Sequence, residues 1–297
     1  METFTEKAKR LGRIGQRLKR AYGEMARPPD MHPVEHAVRT VLGEEATRRE
    51  VGAALERIRD HFFDFNDLRV SRPREIREVL GEGFPRASYK ARAIPRLLDQ
   101  VFKRHNSMVW DFLEGMGKTE TREFFEALEE VRPFLAATMA RDVAGAHAFP
   151  VDRDIGRVLG RLGLVDPETD SETDMQGFLE RAVKSEQAWQ LHALLKRLAE
   201  AVCLVGEPKC SACPLKKTCP TAGEMAARRK RRKKAAGGKK KKAARTRKKA
   251  AGKKASPKGR KTKSDAGKST SSKSSKAKGG RRAKRKKKTA KRRRKKR

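Results

Sequence analysis

Aromatic side chains are scarce in this 297-residue chain, at 5% of the total, and none lies beyond Trp189. From Arg228 onward there is also no Val, Ile, Leu, Met or Cys, so Ala is the only apolar side chain left. Such a segment cannot bury enough apolar surface to offset the entropy of ordering its backbone, and no packed domain is expected there. Acid is missing from the same stretch: its 70 residues hold 39 Lys/Arg and one acid, Asp265, whereas the first 227 hold 37 Lys/Arg and 36 Asp/Glu. The net charge of +39 therefore belongs to a basic arm attached to a nearly neutral body. No run approaches the roughly 18 to 20 uncharged apolar residues that a bilayer-crossing helix needs. The opening METFTEKAKRLGRIGQRLKR carries a charge every few residues and lacks the apolar stretch of a secretion signal. An intracellular protein with no membrane partner is expected.

What the body does have is helical periodicity. Phe4, Ala8, Leu11, Ile14, Leu18 and Tyr22 recur at three- and four-residue steps, one face of an amphipathic helix. Pro28, Pro29 and Pro33 break it, and Val34 to Phe63 reads as two helices. Ser71-Arg72-Pro73-Arg74-Glu75 is a helix start, with Ser71 as cap and Pro73 and Glu75 in the first turn. Further helical stretches run over residues 89–105, 119–128, 132–143, 154–162, 175–183 and 186–202. Without any alternating strand pattern or internal repeat, the fold class is all-α.

The four cysteines lie within 17 positions, Cys203, Cys210, Cys213 and Cys219, in a C-x6-C-x2-C-x5-C spacing. Four thiolates from one loop suit a soft-metal site better than two disulfides in an intracellular chain. Spacing alone leaves zinc and an iron–sulfur cluster both open.

The segment CLVGEPKCSACPLKKTC, following a long helix, resembles the [4Fe–4S] loop of the endonuclease III group of helix-hairpin-helix DNA glycosylases, including the Pro after the third cysteine. The resemblance extends upstream. Ala148-Phe149-Pro150-Val151-Asp152 with Ile155-x-Arg157-Val158 is similar to the loop leading to that family's catalytic aspartate. Tyr89-Lys90-Ala91-x-x-Ile94 resembles a segment between its early helices, and Pro33 through Leu55 resembles the helix pair carrying its intercalating residue. The similarity covers roughly residues 30 to 220. It implies a two-lobed fold: residues 1–32 as a helix packing with the cluster lobe, 33–148 as a six-helix barrel lobe, 149–222 as the cluster lobe, and 223–297 as a disordered basic tail. It also implies a [4Fe–4S] cofactor on the four cysteines, with zinc as the alternative, and double-stranded DNA as partner of a monomer.

The family's chemistry cleaves an N-glycosidic bond through a cation-like sugar, and a carboxylate beside the flipped nucleotide stabilises that charge and activates water. Asp152 stands at the matching position; without the resemblance it reads as the cap of the helix that follows. Three departures stand against the family pattern. The family's hairpin, approximately L-P-G-V-G-x-K-T-A, aligns with Leu128-Glu129-Glu130-Val131-Arg132-Pro133-Phe134-Leu135-Ala136. Phe134 therefore occupies the position of the lysine that forms a Schiff base, and a phenyl ring has no nucleophilic nitrogen, so β-lyase chemistry through this position is excluded. Both hairpin glycines are gone, so the backbone clamp on a phosphate is expected to be lost or rebuilt, with 128–136 as a helix interrupted at Pro133 and Arg132 as a cation near the phosphate. Glu45 stands at the intercalating position and reads as an ordinary exposed helix acid. Leu113-Glu114-Gly115-Met116-Gly117-Lys118 superficially resembles a displaced hairpin and reads as a Gly-containing turn between helices.

Lys209, Lys216 and Lys217 in the cysteine loop, together with the arm from Arg228, are the expected DNA contacts. The arm resembles linker-histone C-terminal arms in its Lys, Ala, Pro and Ser content, with Ser256-Pro257-Lys258 as one such unit. A polycation of this kind binds polyanions by counterion release without reading sequence, RNA being the alternative partner. The expectation is an intracellular, DNA-associated iron–sulfur protein: a monofunctional DNA N-glycosylase of base excision repair without lyase activity. The alternative is a catalytically inactive homologue that binds DNA or chromatin.

Overall fold

The computed structural model describes residues 2–231, and the bulk of the basic arm lies outside them. Among the described residues there are helices and no strand. Helix α1 (Phe4–Tyr22) starts where Thr3 and Glu6 cap each other reciprocally, and it buries Leu11, Ile14 and Leu18 of the expected stripe. Pro33 at the first position of α2 (Pro33–Gly43) and a second reciprocal cap, Thr47 with Glu50, ahead of α3 (Arg48–His61) pin the ends of the connection between them. That four-residue connection places Glu45.

Helix α4 (Phe65–Val70) is a single short turn capped by Asp64 and has no sequence periodicity to announce it. Helix α5 (Pro73–Leu80) differs from expectation in its cap, which is Arg72. Pro73 takes the first helical position, so the residue before it must cap, and the Ser71 hydroxyl instead donates back to the Asp67 carbonyl at 2.8 Å. Next come α6 (Ala87–His105), α7 (Lys118–Glu126) and α8 (Pro133–Asp142), with Gly117 as the cap of α7 in the turn that mimics a hairpin. Helices α9 (Arg153–Arg161), α10 (Glu172–Ala182) and α11 (Ser185–Ala201) complete the body. A last helix, α12, covers residues 220–231, so the chain stays helical beyond 223, where a disordered tail was expected to begin. Ala222, buried, and Met225, half-buried, anchor its first turns.

Two apolar cores organise these helices. The first takes residues from Val34 to Met139, with Trp110 and Phe125 fully enclosed. The second joins Leu11, Ile14 and Leu18 of α1 to α9, α10, α11 and Leu215 of the cysteine loop. At roughly 1.5 to 3 kcal/mol for each large apolar side chain buried, the three α1 residues alone tie that helix firmly to the second core. Asp152 and the 44–47 turn lie where elements of the two cores meet.

Candidate active site

Asp152 caps α9: its Oδ1 accepts the Ile155 N–H at 2.9 Å. Its Oδ2 is separately employed, accepting Lys196 Nζ at 2.6 Å and facing the Glu45 N–H at 3.5 Å. One oxygen thus forms the helix cap and the other is paired with Lys196. The residue is 1% exposed. Lys196, on α11, also reaches Asp154 Oδ2 at 3.3 Å. Burial pushes the Lys196 ammonium toward neutrality, but Asp152 and Asp154 outweigh it and hold its pKa above the ordinary lysine value. Asp154 is held below the usual carboxylate range, because Lys196 and Arg157 overcome its burial. Lys196 belongs to no motif, which is why the sequence reading passed over it. The available signal was the four-residue spacing of His192, Lys196 and Glu200, which puts three polar residues on one face of α11.

Phe134 sits in the first turn of α8, buried, with its ring 6.3 Å from that of His192. Glu45 departs from expectation. It is half-buried in the turn between α2 and α3 with φ +56°, a left-handed conformation, and is not a helix residue. Its carboxylate faces Arg86 at 3.1 Å and Arg153 at 3.8 Å. The turn is locked from inside by Lys90, whose Nζ donates to the carbonyls of Leu42 at 2.9 Å and Glu44 at 2.7 Å. Burial pushes the Lys90 pKa down to about 8. Glu44 is buried too, and desolvation raises its pKa despite Arg132 and Arg86 beside it.

Residues 127–132 form a turn between α7 and α8, correcting the expectation of one helix interrupted at Pro133. The hairpin shape survives without glycine because Glu130 itself adopts φ +61°. Side chains of α6 hold the turn: Arg104 donates to the Ala127 carbonyl, Gln100 to that of Glu129 and Tyr89 to that of Glu130. Gln100 also accepts the Glu129 N–H. Of the N–H donors in the turn, that of Glu129 is used by Gln100 and that of Val131 by the Leu128 carbonyl. Arg132 is committed as well, pairing with buried Glu44 at 2.9 Å and with Glu172. A left-handed residue with a Cβ costs about 1–2 kcal/mol, against roughly 0.5–1 for the extra freedom of an unfolded glycine. Glu130→Gly is therefore expected to stabilise the fold by up to about 1 kcal/mol in urea unfolding. A clear loss of stability would show that the Glu130–Arg96 contact outweighs the strain.

The four cysteines are unbonded and half-buried, with Cys203, Cys213 and Cys219 against the second core. Burial pushes the Cys213 and Cys219 thiols up, and the neighbouring cysteines add to the effect in both. Among the described residues no three His, Cys, Asp or Glu side chains converge as ligands of a lone ion. Donors surround the thiols: the Leu215 N–H lies 3.4 Å from Cys213 Sγ and Arg161 Nη1 3.4 Å from Cys203 Sγ. Lys209, Lys216 and Lys217 are exposed on the loop's outer side. Of the arm from Arg228, only residues 228–231 are described, exposed at the end of α12.

The arrangement of helices around the two cores is the helical fold of endonuclease III and related DNA glycosylases. The solved structure of endonuclease III in a non-covalent complex with DNA matches with a TM-score of 0.60 and 19% identity, covering 76% of this chain and 100% of that one. A thermostable thymine-DNA glycosylase matches at 0.55 and 17%, covering 73% and 98%. The 8-oxoguanine glycosylase/lyase of Clostridium acetobutylicum, complexed with DNA, matches at 0.50 and 16%, covering 67% and 71%. No family model matches the chain. No helix among the described residues is long and apolar enough to cross a membrane.

Proposed function

We propose that this protein is a DNA N-glycosylase of base excision repair that releases a base by hydrolysis and does not cut the strand. The observation that carries the reading is Asp152, a nearly inaccessible carboxylate at a helix N-terminus beneath the Glu45 turn. A flipped nucleotide that displaces this turn meets a carboxylate poised to stabilise the sugar cation and orient water. Strand cutting needs a neutral amine at the sugar. Position 134 has none, and Lys196 is held as an ammonium by two carboxylates, the reverse of the apolar or cationic surroundings that activate a lysine.

The test is base release from a panel of damaged and mismatched duplexes by the full chain. Asp152→Asn is expected to lower release at least about a hundredfold. Borohydride is expected to trap no covalent DNA adduct; a trapped adduct lost in Lys196→Arg would overturn the hydrolytic reading. The commitment of both Asp152 oxygens favours a second reading, an inactive homologue that only binds DNA. Release from no duplex in the panel selects it.

Double-stranded DNA is the proposed partner, met by Lys209, Lys216, Lys217 and the arm from Arg228. The cysteines are the proposed ligands of a [4Fe–4S] cluster. The C-x6-C-x2-C-x5-C loop, with its resemblance to the cluster loop of the endonuclease III group, supports a cluster over a single zinc. Bound there, the cluster would serve as a structural link between the loop and α9, with Arg161 and Leu215 hydrogen-bonding its thiolates. Purified protein is expected to be brown with about four iron and four sulfide per chain. A colourless protein holding one zinc would overturn the assignment.

A further inference from the structure

Asp152 and Glu45 share the wall of an open cleft of about 680 Å³, and the cover over the aspartate depends on how Glu45 is held. Lys90 fixes the Leu42 and Glu44 carbonyls on one side, and the reciprocal cap of Thr47 with Glu50 fixes the chain on the other. Only Glu45 and Ala46 are left between these two anchors. Among the described residues the turn's one hydrogen bond to Asp152 is the Glu45 N–H, at a long 3.5 Å.

The Glu45 carboxylate is what closes the turn. Its Oε1 faces Arg86 Nη1 at 3.1 Å and Arg153 Nε at 3.8 Å. Arg86 caps α6, a helix of the first core, and Arg153 opens α9, a helix of the second. Among the described residues four non-glycine residues have positive φ, and two of them, Glu45 at +56° and Arg86 at +54°, are the ends of this one ion pair. Strain of that kind persists only where the surroundings over-determine it, and it concentrates at sites that switch. The pair is also open to solvent. The Glu45, Arg86 and Arg153 side chains are 23%, 28% and 70% exposed, whereas that of Glu44 is 1% exposed. Glu44 is thus an interior acid, compensated by Arg132 and Arg86, and Glu45 is the one able to exchange with an outside anion.

The chemistry of the cleft narrows what replaces it. Only an anion satisfies two guanidinium groups, and their forks match phosphate oxygens as well as carboxylate. The other arginines of the cleft are spent, Arg157 on Asp154 and the Cys203 carbonyl, Arg161 on the Leu204 carbonyl. Apart from Asp152, the remaining charged lining is acidic: Asp166, Glu168, Asp170 and Glu172. An anion entering the cleft therefore settles at the two Glu45 arginines or nowhere in it.

Resting on the glycosylase reading above, we propose that Glu45 is an autoinhibitory latch that stands in for a DNA phosphate. In the free protein its carboxylate lies by Arg86 and Arg153, where a phosphodiester group lies in the complex. Exchanging one anion for the other releases the two-residue segment, so Asp152 is uncovered only when a DNA backbone is in place beside it. One ion pair replaces another of the same sign, which keeps the exchange nearly balanced and reversible.

The test is fluorescence anisotropy with the full chain at about 200 mM salt, where counterion release by the arm counts for less. The probes are a duplex with a stable abasic-site analogue, which leaves one backbone unit free to turn outward, and the same duplex undamaged. Glu45→Ala and Glu45→Gln are each expected to bind the analogue roughly tenfold tighter than wild type, the size of one charge-assisted hydrogen bond. Undamaged duplex is expected to gain no more than it does with Glu56→Ala, which removes an exposed acid of α3 and changes the net charge equally. In a background of Arg86→Met with Arg153→Met the Glu45→Ala gain is expected to vanish. Urea unfolding checks that background; should it not fold, Arg153→Met alone, at an exposed position, is expected to reduce the gain. An equal gain on both duplexes makes Glu45 bulk charge, and a gain with Gln alone makes it a gap-filling side chain. Either result overturns the inference, as does a gain that survives loss of the arginines, or no gain. Because the readout is binding, absence of base release from every duplex refutes the glycosylase reading without touching this comparison.

Discussion

Lys196→Met is expected to cost the folded body about 3–5 kcal/mol, the usual penalty for stranding one partner of a buried ion pair. Asp152 has no solvent to fall back on, and among the described residues Lys196 is its only cationic contact within hydrogen-bonding distance. Asp154 suffers less because Arg157 remains at 2.5 Å. The double variant Lys196→Met with Asp152→Asn is expected to recover most of the loss, since the stranded charge is then gone. Urea unfolding of the four proteins gives the coupling directly, and a single-variant cost under about 1 kcal/mol would mean that water reaches the pair. The pH sign follows from the raised pKa of Lys196. Its contribution is fully present below the ordinary lysine value of 10.5 and is lost only as pH climbs through the higher folded value. Neutral and mildly alkaline buffers should therefore leave the pair intact.

Lys196 also marks where sequence reading stops. The α1 stripe, the capped start of α9 and the cysteine spacing were legible because each is local: period, cap and ligand interval lie within one segment. The position of Asp152 was legible for the same reason. The partners that decide its chemistry come from elsewhere, Lys196 from 44 residues downstream and the Glu45 N–H from 107 residues upstream. Glu45 was misplaced because nothing in Leu42-Gly43-Glu44-Glu45 says that a glutamate will take a left-handed turn; buried Lys90, from α6, fixes the chain just before it by binding the carbonyls of Leu42 and Glu44. The hairpin at Glu130 follows the same logic, its glycine-like backbone held by Tyr89, Gln100 and Arg104. In both turns a tertiary contact replaced the residue type that sequence reasoning relies on.

Those two turns bear on how the protein would hold DNA. Each carries an acid, Glu45 and Glu130, and Arg132 is committed to Glu44 and Glu172. Removing residues 232–297 deletes 35 Lys/Arg and a single acid. A protein meeting six to ten phosphates loses roughly 10³- to 10⁵-fold in affinity between 50 and 200 mM salt. The full chain is expected to show at least that dependence on plain duplex DNA, and the truncated chain only a shallow one. At the lower salt the truncated chain is expected to bind at least about a thousandfold more weakly. Because the deleted segment contains no aromatic residue, base stacking cannot favour single strands, and duplex should compete at least as well as single-stranded RNA. Fluorescence anisotropy at several salt concentrations reads all three. An unchanged slope after truncation would move the electrostatic grip back into the folded body, to Lys209, Lys216 and Lys217 on the cysteine loop.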